Sequence, residues 1–185
     1  FIRQQYYLHV VIMLFWATSC TLAWNIIGGF AGQISLGHAV FMGFGAYATA
    51  LVQTKFELPP VVGLVLGIIF VVIFTTIFFY PCFCLRGPYF IMATLGLTIA
   101  TRNAFFTWEL IGKGEGLILP FRSAHSWYWF QFTDKKPYYY AALVLAVSFI
   151  LVSIFISKSR FGYALKAIKE NENTASAVGI NKTKY

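Results

Sequence analysis

Residues 28–50 read GGFAGQISLGHAVFMGFGAYATA and hold six glycines in an otherwise apolar chain. Glycine weakens a helix by roughly 1 kcal/mol per residue relative to alanine. The first part of this stretch also carries three side chains that form hydrogen bonds, those of Gln33, Ser35 and His38. We therefore expect that the stretch from Gly28 to His38 can unwind, and that the residues from Ala39 onward form a helix.

The composition around this stretch is typical of a membrane protein. Of 185 residues, 59% are hydrophobic and 11% are charged, and the mean hydropathy is +0.71, whereas about 25% of the residues in a soluble domain are charged. Apolar stretches occupy residues 6–23, 39–52, 61–85, 88–101 and 138–156, and about 20 residues suffice to cross a bilayer. We predict an all-α, polytopic membrane protein with about five transmembrane helices and a broken or re-entrant glycine-rich helix near its N-terminal part.

Two of the five stretches are short for a crossing. We extend the second back into the glycine run and the fourth on to Trp108. The chain begins with Phe1 rather than Met and ends without a terminal signature. For that reason we expect it to be a fragment of a longer protein.

Basic residues indicate the orientation. The formal net charge is +8, and the tail from Ser157 holds the densest basic run, which the positive-inside rule places in the cytoplasm. Alternation of the spans then puts Arg86 inside and the connection 109–137 outside, while the side of the N-terminus stays open. Because the basic residues lie between spans and in the tail, they do not indicate a nucleic-acid partner.

The unwound segment is the candidate substrate pathway. Non-helical backbone at membrane depth is tolerated only where protein or a water-filled cavity satisfies it, and broken helices are where transporters hold substrate. A hydroxyl stripe of Thr94, Thr98 and Thr101 would face the same pathway. The alternatives are a plain loop between spans and threonines bonded to their own helix. The candidate pathway residues are Gly28, Gly29, Gly32, Gln33, Ser35, Gly37, His38, Thr94 and Thr98.

Small residues elsewhere predict close helix packing. One stripe of alanine and glycine runs through residues 39–50, and Gly63 and Gly67 form a second pair at helical spacing. Small residues let helix backbones approach in lipid, where no hydrophobic force drives association. Arg102 lies near the end of the fourth stretch, and we expect its stem to reach toward the headgroups.

The sequence lacks the residue groups of an enzyme. Its three cysteines have no neighbouring histidine or further cysteine at zinc-ligand spacing, and Ser35 and His38 are scattered polar residues rather than a nucleophile with its base. We therefore expect no catalytic residue, no metal site and no cofactor. An ion-coupled carrier or channel, a second functional class, would normally carry an acidic residue within a span. None of the six acidic residues occupies such a position.

The tail has the pattern of an amphipathic helix. Phe161, Leu165 and Ile168 share one side, basic residues lie elsewhere, and Gly179 is a candidate stop signal further on. A helix held on the membrane surface by its basic residues is one interpretation.

Three stretches carry a family resemblance. The segment NIIGGFAGQISLGHAVFMGFGAYATALV, residues 25–52, resembles the signature of M-type permease subunits of branched-chain amino acid ABC importers. LRGPYFIMATLGL from Leu85 and SRFGYALKAIKENENTASAVGIN from Ser159 fit the same family in order. Urea and amide importers share much of this pattern. The family usually has an acidic residue where this chain has Ile99, and Thr-Gly-Gly where residues 111–113 are Ile-Gly-Lys.

The resemblance implies a transmembrane permease subunit of an ATP-binding cassette importer in the bacterial inner membrane. Its cargo would be branched-chain or similar small neutral amino acids, with urea or short-chain amides as the alternative. Residues 1–157 would form part of the permease domain, and residues 158–185 a truncated cytoplasmic loop that couples to the ATPase. ATP would be bound by a partner, since the chain has no Gly-x-x-x-x-Gly-Lys-Ser/Thr phosphate loop.

The implied partners are cytoplasmic ABC ATPase subunits, a second homologous permease subunit, a periplasmic or extracytoplasmic substrate-binding protein and the lipid bilayer. The residues of the coupling loop that match the family are Arg160, Phe161, Gly162, Leu165, Ile168, Glu170, Asn171, Glu172, Ala175 and Gly179.

Overall fold

Five long α-helices make up most of the residues that the structure describes. The computed structural model describes residues 5–85, 87–119, 125–126, 129–171 and 175. The chain divides into two compact units, Phe1–Ile34 with Asp134–Tyr185 and Ser35–Thr133. Three helical stretches in the described part are long and apolar enough to cross a membrane: Gln5–Phe30, Pro60–Cys82 and Lys136–Lys158. The predicted all-α membrane fold is confirmed.

The described part of the first unit contains three α-helices. Helix α1 spans Gln5–Asn25 and continues as a π-helical turn, Ile26–Phe30. Helix α5 spans Lys136–Lys158, and helix α6 follows at Arg160–Glu170. The helix break between α5 and α6 falls at Ser159, whose hydroxyl accepts a hydrogen bond from the Gly162 N–H at 3.1 Å. This is the N-cap arrangement that starts a new helix.

Helices α1 and α5 lie side by side and run in the same direction. At their start, the Lys135 ammonium lies 3.4 Å from the Gln5 carbonyl oxygen. One turn into α5, the ring of Tyr139 lies 5.7 Å from that of Phe15. Most other side chains of both helices are exposed and apolar, as expected for helices that face lipid.

The second unit contains the other three helical segments. Helix α2 spans His38–Lys55, helix α3 spans Pro60–Phe74, and helix α4 spans Pro88–Thr107. Helix α3 continues through a π-helical turn, Thr75–Phe79, and a 3₁₀ turn, Tyr80–Cys84. Both α3 and α4 begin with proline, whose fixed φ suits the first turn and whose missing N–H would have no helical partner there.

Helices α2 and α3 pack antiparallel through small residues. A Cβ built on Gly63 would lie 2.8 Å from the Thr49 Cα, and one built on Gly67 would lie 3.5 Å from the Gly45 Cα. The backbones therefore approach as closely as the Gly63 and Gly67 spacing predicts. The small-residue stripe of residues 39–50 behaves differently at Gly43, because a Cβ on that residue would have no described atom outside its own helix within 4 Å.

An aromatic cluster forms the core of this unit. Val40, Phe44 and Phe79 are buried, and the rings of Phe74 and Phe105 lie 4.3 and 4.9 Å from that of Phe44. Aromatic pairs at such distances favour tilted and edge-on arrangements. The cluster holds the first half of α2 between α3 and α4.

The connection after α4 is short of regular structure. It holds two 3₁₀ turns, Glu109–Ile111 and Lys113–Glu115, and a two-residue antiparallel pairing of β1, His125–Ser126, with β2, Gln131–Phe132. The Lys113 ammonium lies 2.7 Å from the Glu109 carboxylate. The ion pair joins the two turns.

The helix bounds refine the predicted spans. The first helix continues to Phe30 instead of ending at Ala23, while the fourth ends at Thr107, close to the predicted Trp108. The second span does not extend back through the glycine run as a helix, because residues 31–37 are not helical. Arg86, expected on the cytoplasmic side, lies outside the described residues.

Candidate functional site

The non-helical segment between α1 and α2, residues 31–37 and here called the break, ends beside the middle of α4. Thr94 and Thr98 face residues 35–37 from the second and third turns of α4, whose residues are Pro88–Thr107. The Leu36 N–H donates to the Thr94 hydroxyl at 3.3 Å, and the Thr98 hydroxyl lies 3.1 Å from the Leu36 carbonyl oxygen. Both polar groups of one non-helical residue are therefore satisfied by hydroxyls of a neighbouring helix, as an apolar environment requires.

The same threonines also bond within α4. The Thr94 hydroxyl lies 3.0 Å from the Ile91 carbonyl oxygen, and the Thr98 hydroxyl lies 2.8 Å from the Thr94 carbonyl oxygen. Each hydroxyl has one proton and two acceptor sites. Thr94 can donate within its helix while accepting from Leu36, whereas the Thr98 proton is shared between two carbonyls. Intrahelical bonding and contact with the break, the two alternatives posed by the sequence, both occur here.

The turn into α2 needs glycine at residue 37. The buried Ser35 hydroxyl accepts from the Gly37 N–H at 3.2 Å, which closes a tight turn. A Cβ on Gly37 would collide with the ring of Phe79, which is 1% exposed. The end of the break therefore packs directly against the aromatic core.

Upstream, Gly28 and Gly29 remain in the π-helical turn, and the chain leaves the helix at residue 31. Gly32 has φ +72°, a left-handed conformation that side-chain-bearing residues rarely adopt. A Cβ on Gly32 would lie 2.6 Å from the Lys169 Cγ, and the Lys169 ammonium donates to the Gly29 carbonyl at 3.1 Å. A side chain of α6 is thus attached to the last turn of α1.

A second lysine strengthens this attachment. The Lys166 ammonium lies 5.5 Å from the centre of the Phe30 ring, within the range of a cation–π contact. Lys166 and Lys169 are three residues apart on α6, so they lie on one face of that helix. That face holds the end of α1.

Gln33 and His38 occupy different environments. The Gln33 N–H donates to the Ile27 carbonyl at 3.3 Å, which ties the start of the break to the end of α1. His38 begins α2, and its ring lies edge-on to Phe41 at 5.8 Å. Its Nδ1 is buried and has no hydrogen-bond partner among the described residues. A water or a bound solute could satisfy that atom.

A cavity of about 470 Å³ opens between the first half of α2 and the second half of α4. Thr98 belongs both to this cavity and to the bonds that hold the break. The turn Lys113–Glu115 with Gly116 closes the far end. The lining residues that the sequence analysis did not assign to the pathway include Ala39, Gly43, Tyr47, Arg102 and Glu115.

Arg102 is a residue whose functional importance the sequence analysis underestimated. Arg102 lines the cavity, and its guanidinium lies 5.3 Å from the centre of the Phe106 ring. The reach of its stem toward the headgroups stays a prediction. A charged residue within a membrane helix is a functional candidate by default. The cavity joins it to a loop residue, Glu115, whose position the helical pattern could not indicate.

The residues expected in the coupling loop lie on α6 and just beyond it. Gly162 and Leu165 are buried, Ile168 is half-buried, and Phe161 is 42% exposed. Arg160 and Glu170 are exposed, Asn171 ends the helix, and the Ala175 N–H donates to the Asn171 carbonyl at 2.9 Å. Glu172 and Gly179 lie outside the described residues.

No group of three or more histidine, cysteine, aspartate or glutamate side chains could hold a metal ion in the part of the chain that the structure describes. The polar atoms of the break and the cavity are hydroxyls, backbone groups, the Gln33 amide and single charges. Such groups bind and orient a solute by hydrogen bonds and charge.

A comparison with protein families gives one match, the branched-chain amino acid transport system / permease component, over residues 6–185. No curated protein and no solved structure matches the chain. The match covers nearly the whole sequence, including the break, the cavity and α6. The chain therefore belongs to the family of permease components of branched-chain amino acid transport systems.

Proposed function

We propose that this chain is the transmembrane subunit of an ATP-binding cassette importer in the bacterial inner membrane, and that it moves branched-chain or similar small neutral amino acids. The observation that carries the proposal is the non-helical main chain at residues 35–37, held by Thr94 and Thr98 and adjoining a cavity. The family match supports the same function.

The position of the break suits a transport pathway. Helix α4 has 20 residues, or about 30 Å at 1.5 Å per residue, which equals the thickness of the hydrocarbon core. With α4 across the bilayer, Thr94 and Thr98 lie near the midplane. Transporters of several folds bind substrate at that depth beside interrupted helices.

The energy source is a separate ATPase that docks on α6. The sequence has no phosphate-binding loop, so ATP is bound by the partner and this chain needs no cofactor of its own. Phe161 and Tyr163 are exposed on α6, and exposed aromatic side chains are common anchors at protein interfaces. Two of the three basic residues on α6, Lys166 and Lys169, contact the end of α1, and the acidic Glu170 would be repelled by anionic lipid. Together these observations favour a protein partner over the membrane surface.

Motion of α6 would reach the glycine segment through Lys166 and Lys169. These side chains contact Phe30 and the Gly29 carbonyl, immediately before the left-handed turn at Gly32. When nucleotide binding shifts the ATPase, α6 pulls on the last turn of α1, and the non-helical residues absorb the movement. A second homologous permease subunit and an extracytoplasmic binding protein complete the importer.

The proposal is tested by reconstituting the chain with its ATPase and binding-protein partners in proteoliposomes. We expect uptake of L-leucine that requires ATP. Deleting residues 158–181, or replacing Phe161→Asp, should abolish both co-purification of the ATPase and uptake. Lys55→Gln, at the exposed end of α2 and outside the deleted segment, is the control and should leave both unchanged.

Three results would contradict the proposal. Uptake driven by an ion gradient without ATP would indicate a carrier. Uptake of urea or a short-chain amide in place of neutral amino acids would show that the chain serves a urea or amide importer. Retention of the ATPase after the deletion would remove α6 as its docking site.

A further inference from the structure

The cavity between α2 and α4 is lined by two charges of opposite sign that do not pair with each other. Arg102 of α4 and Glu115 of the following turn both line it. Among the residues that the structure describes, neither has an oppositely charged side chain within 4.0 Å. The third charged residue of the lining, Lys113, is already paired with Glu109 at 2.7 Å. One cationic and one anionic group are therefore available to a solute.

Apart from Thr98 and Thr101, the remaining wall of the cavity is mainly apolar and aromatic. The rings of Tyr47 of α2 and Phe105 of α4 lie 4.9 Å apart at an interplanar angle of 30°, and Phe106 lies beneath the Arg102 guanidinium. Ala39 and Gly43 leave the α2 side without bulk. The volume of about 470 Å³ lies within the range of small-molecule sites, which combine an apolar lining with a few polar groups.

We propose that this cavity binds the zwitterion of a neutral amino acid. The Arg102 guanidinium binds the carboxylate, the Glu115 carboxylate binds the ammonium group, and the aliphatic side chain packs against Tyr47 and Phe105. Charge-assisted hydrogen bonds of this kind are the strong ones, and arginine presents a fork that matches a carboxylate. The inference rests on the proposed transport function and assigns its substrate site within the permease.

This chemistry separates amino acids from the alternative cargo. Urea and short-chain amides carry neither a carboxylate for Arg102 nor an ammonium group for Glu115. They could form only hydrogen bonds in which the solute is neutral, which are weaker than hydrogen bonds between two charged groups. An amino acid satisfies both charges at once and remains neutral overall.

Protection of an introduced thiol tests the site without requiring transport. In the assembled transporter, with the three native cysteines replaced by serine, Gly43→Cys places a thiol in the cavity wall, where nothing lies within 4 Å of the Cβ position. We expect excess L-leucine to slow alkylation by N-ethylmaleimide. Isocaproate, which lacks the ammonium, and isoamylamine, which lacks the carboxylate, should not slow it. Gly96→Cys, in open space on α4 outside the cavity, is the matched control.

Charge-removing variants connect the protection to the two residues. In the Gly43→Cys background, Arg102→Gln and Glu115→Gln should each raise the leucine concentration needed for half protection by about tenfold or more, the effect of losing one charged hydrogen bond. Lys55→Gln removes an exposed charge at the end of α2, outside the cavity lining, and should change this concentration little. An unchanged alkylation rate without leucine shows that each variant keeps its fold.

The outcomes separate this inference from the proposed function. Equal protection by leucine, isocaproate and isoamylamine would overturn it, as would an unchanged half-protection concentration in Arg102→Gln. ATP-driven leucine uptake without any protection at Gly43→Cys would overturn the site alone. Leucine protection in a transporter that takes up no amino acid would support the site and refute the transport function.

Discussion

Gly37 and Gly43 lie in the same glycine-rich stretch but serve opposite purposes. A side chain on Gly37 would collide with the buried ring of Phe79, whereas a side chain on Gly43 would enter open space in a cavity wall. The first glycine lets the main chain approach the core at the break, and the second keeps a helix face clear. Identical residues a few positions apart thus contribute to stability in one case and to access in the other.

The largest effect is expected from a bulky residue at the break. Gly37→Leu must displace Phe79 from the core, and overpacking of this kind costs about 1–3 kcal/mol. The variant should lose uptake and unfold at lower temperature in detergent. Gly43→Leu is the matched control: its side chain should block uptake by filling the cavity while the unfolding temperature stays near that of the parent. Equal destabilisation of both variants would contradict the distinction between these glycines.

A second effect follows from the left-handed backbone at Gly32. Residues with a side chain pay roughly 1–2 kcal/mol for this conformation, and asparagine tolerates it best. Gly32→Val should therefore reduce thermal stability and uptake more than Gly32→Asn, although both must move the flexible Lys169 side chain. The ratio of the two variants in an uptake assay is the measurement. A larger loss in Gly32→Asn would show that contact with Lys169, and not φ, sets the requirement.

The hydroxyls that hold the break should contribute less. Thr98→Val keeps the shape of the side chain but removes the proton donated toward the Leu36 carbonyl, a loss of about 0.5–1.5 kcal/mol. We expect a modest fall in the unfolding temperature and slower uptake. Thr98→Ser restores the hydroxyl and should recover both. Full activity in Thr98→Val would mean that the contact with Leu36 has no role in the pathway.

Weakening the contact between α6 and the last turn of α1 should lower the uptake per ATP hydrolysed more than the ATPase rate. Lys169→Met removes the hydrogen bond to the Gly29 carbonyl and should lower the uptake per ATP hydrolysed by about two- to tenfold, the equivalent of one hydrogen bond. The ATPase rate itself should persist, and Lys169→Arg should keep most of the coupling. Parallel loss of hydrolysis and uptake would indicate a docking defect in place of a transmission defect.

The smallest effect is expected in the open cavity wall. Gly43→Ala adds only a methyl group where no atom lies within 4 Å, and alanine favours a helix over glycine by up to about 1 kcal/mol. Thermal unfolding should therefore be unchanged or slightly higher, with uptake near that of the parent. Gly67→Ala differs from Gly43→Ala in the surroundings of the added methyl group. Its Cβ would lie 3.4 Å from the Ala48 Cβ in the α2–α3 contact and not in open space.

Sequence reasoning identified the break but not the full extent of the cavity. The density of glycine between residues 28 and 37, with Ser35 among them, predicted unwinding, since few residues there favour a helix. Thr94 and Thr98 were candidates because their spacing puts them on one helix face. The sequence analysis missed Glu115 because this residue lies in a loop. No periodic pattern in the sequence predicts the turn that brings it to the cavity.

The α-helical membrane fold was determined by the sequence alone, because long apolar stretches in lipid must satisfy their backbone groups within helices. The family signature and the amphipathic pattern of α6 could also be recognised from the sequence alone. Only the tertiary structure decided that Leu36 bonds to α4, that Gly37 rests on Phe79 while Gly43 faces a cavity, and that Arg102 and Glu115 line that cavity together. Such contacts join residues far apart in the chain, and their energies depend on how the helices pack, which local composition does not specify.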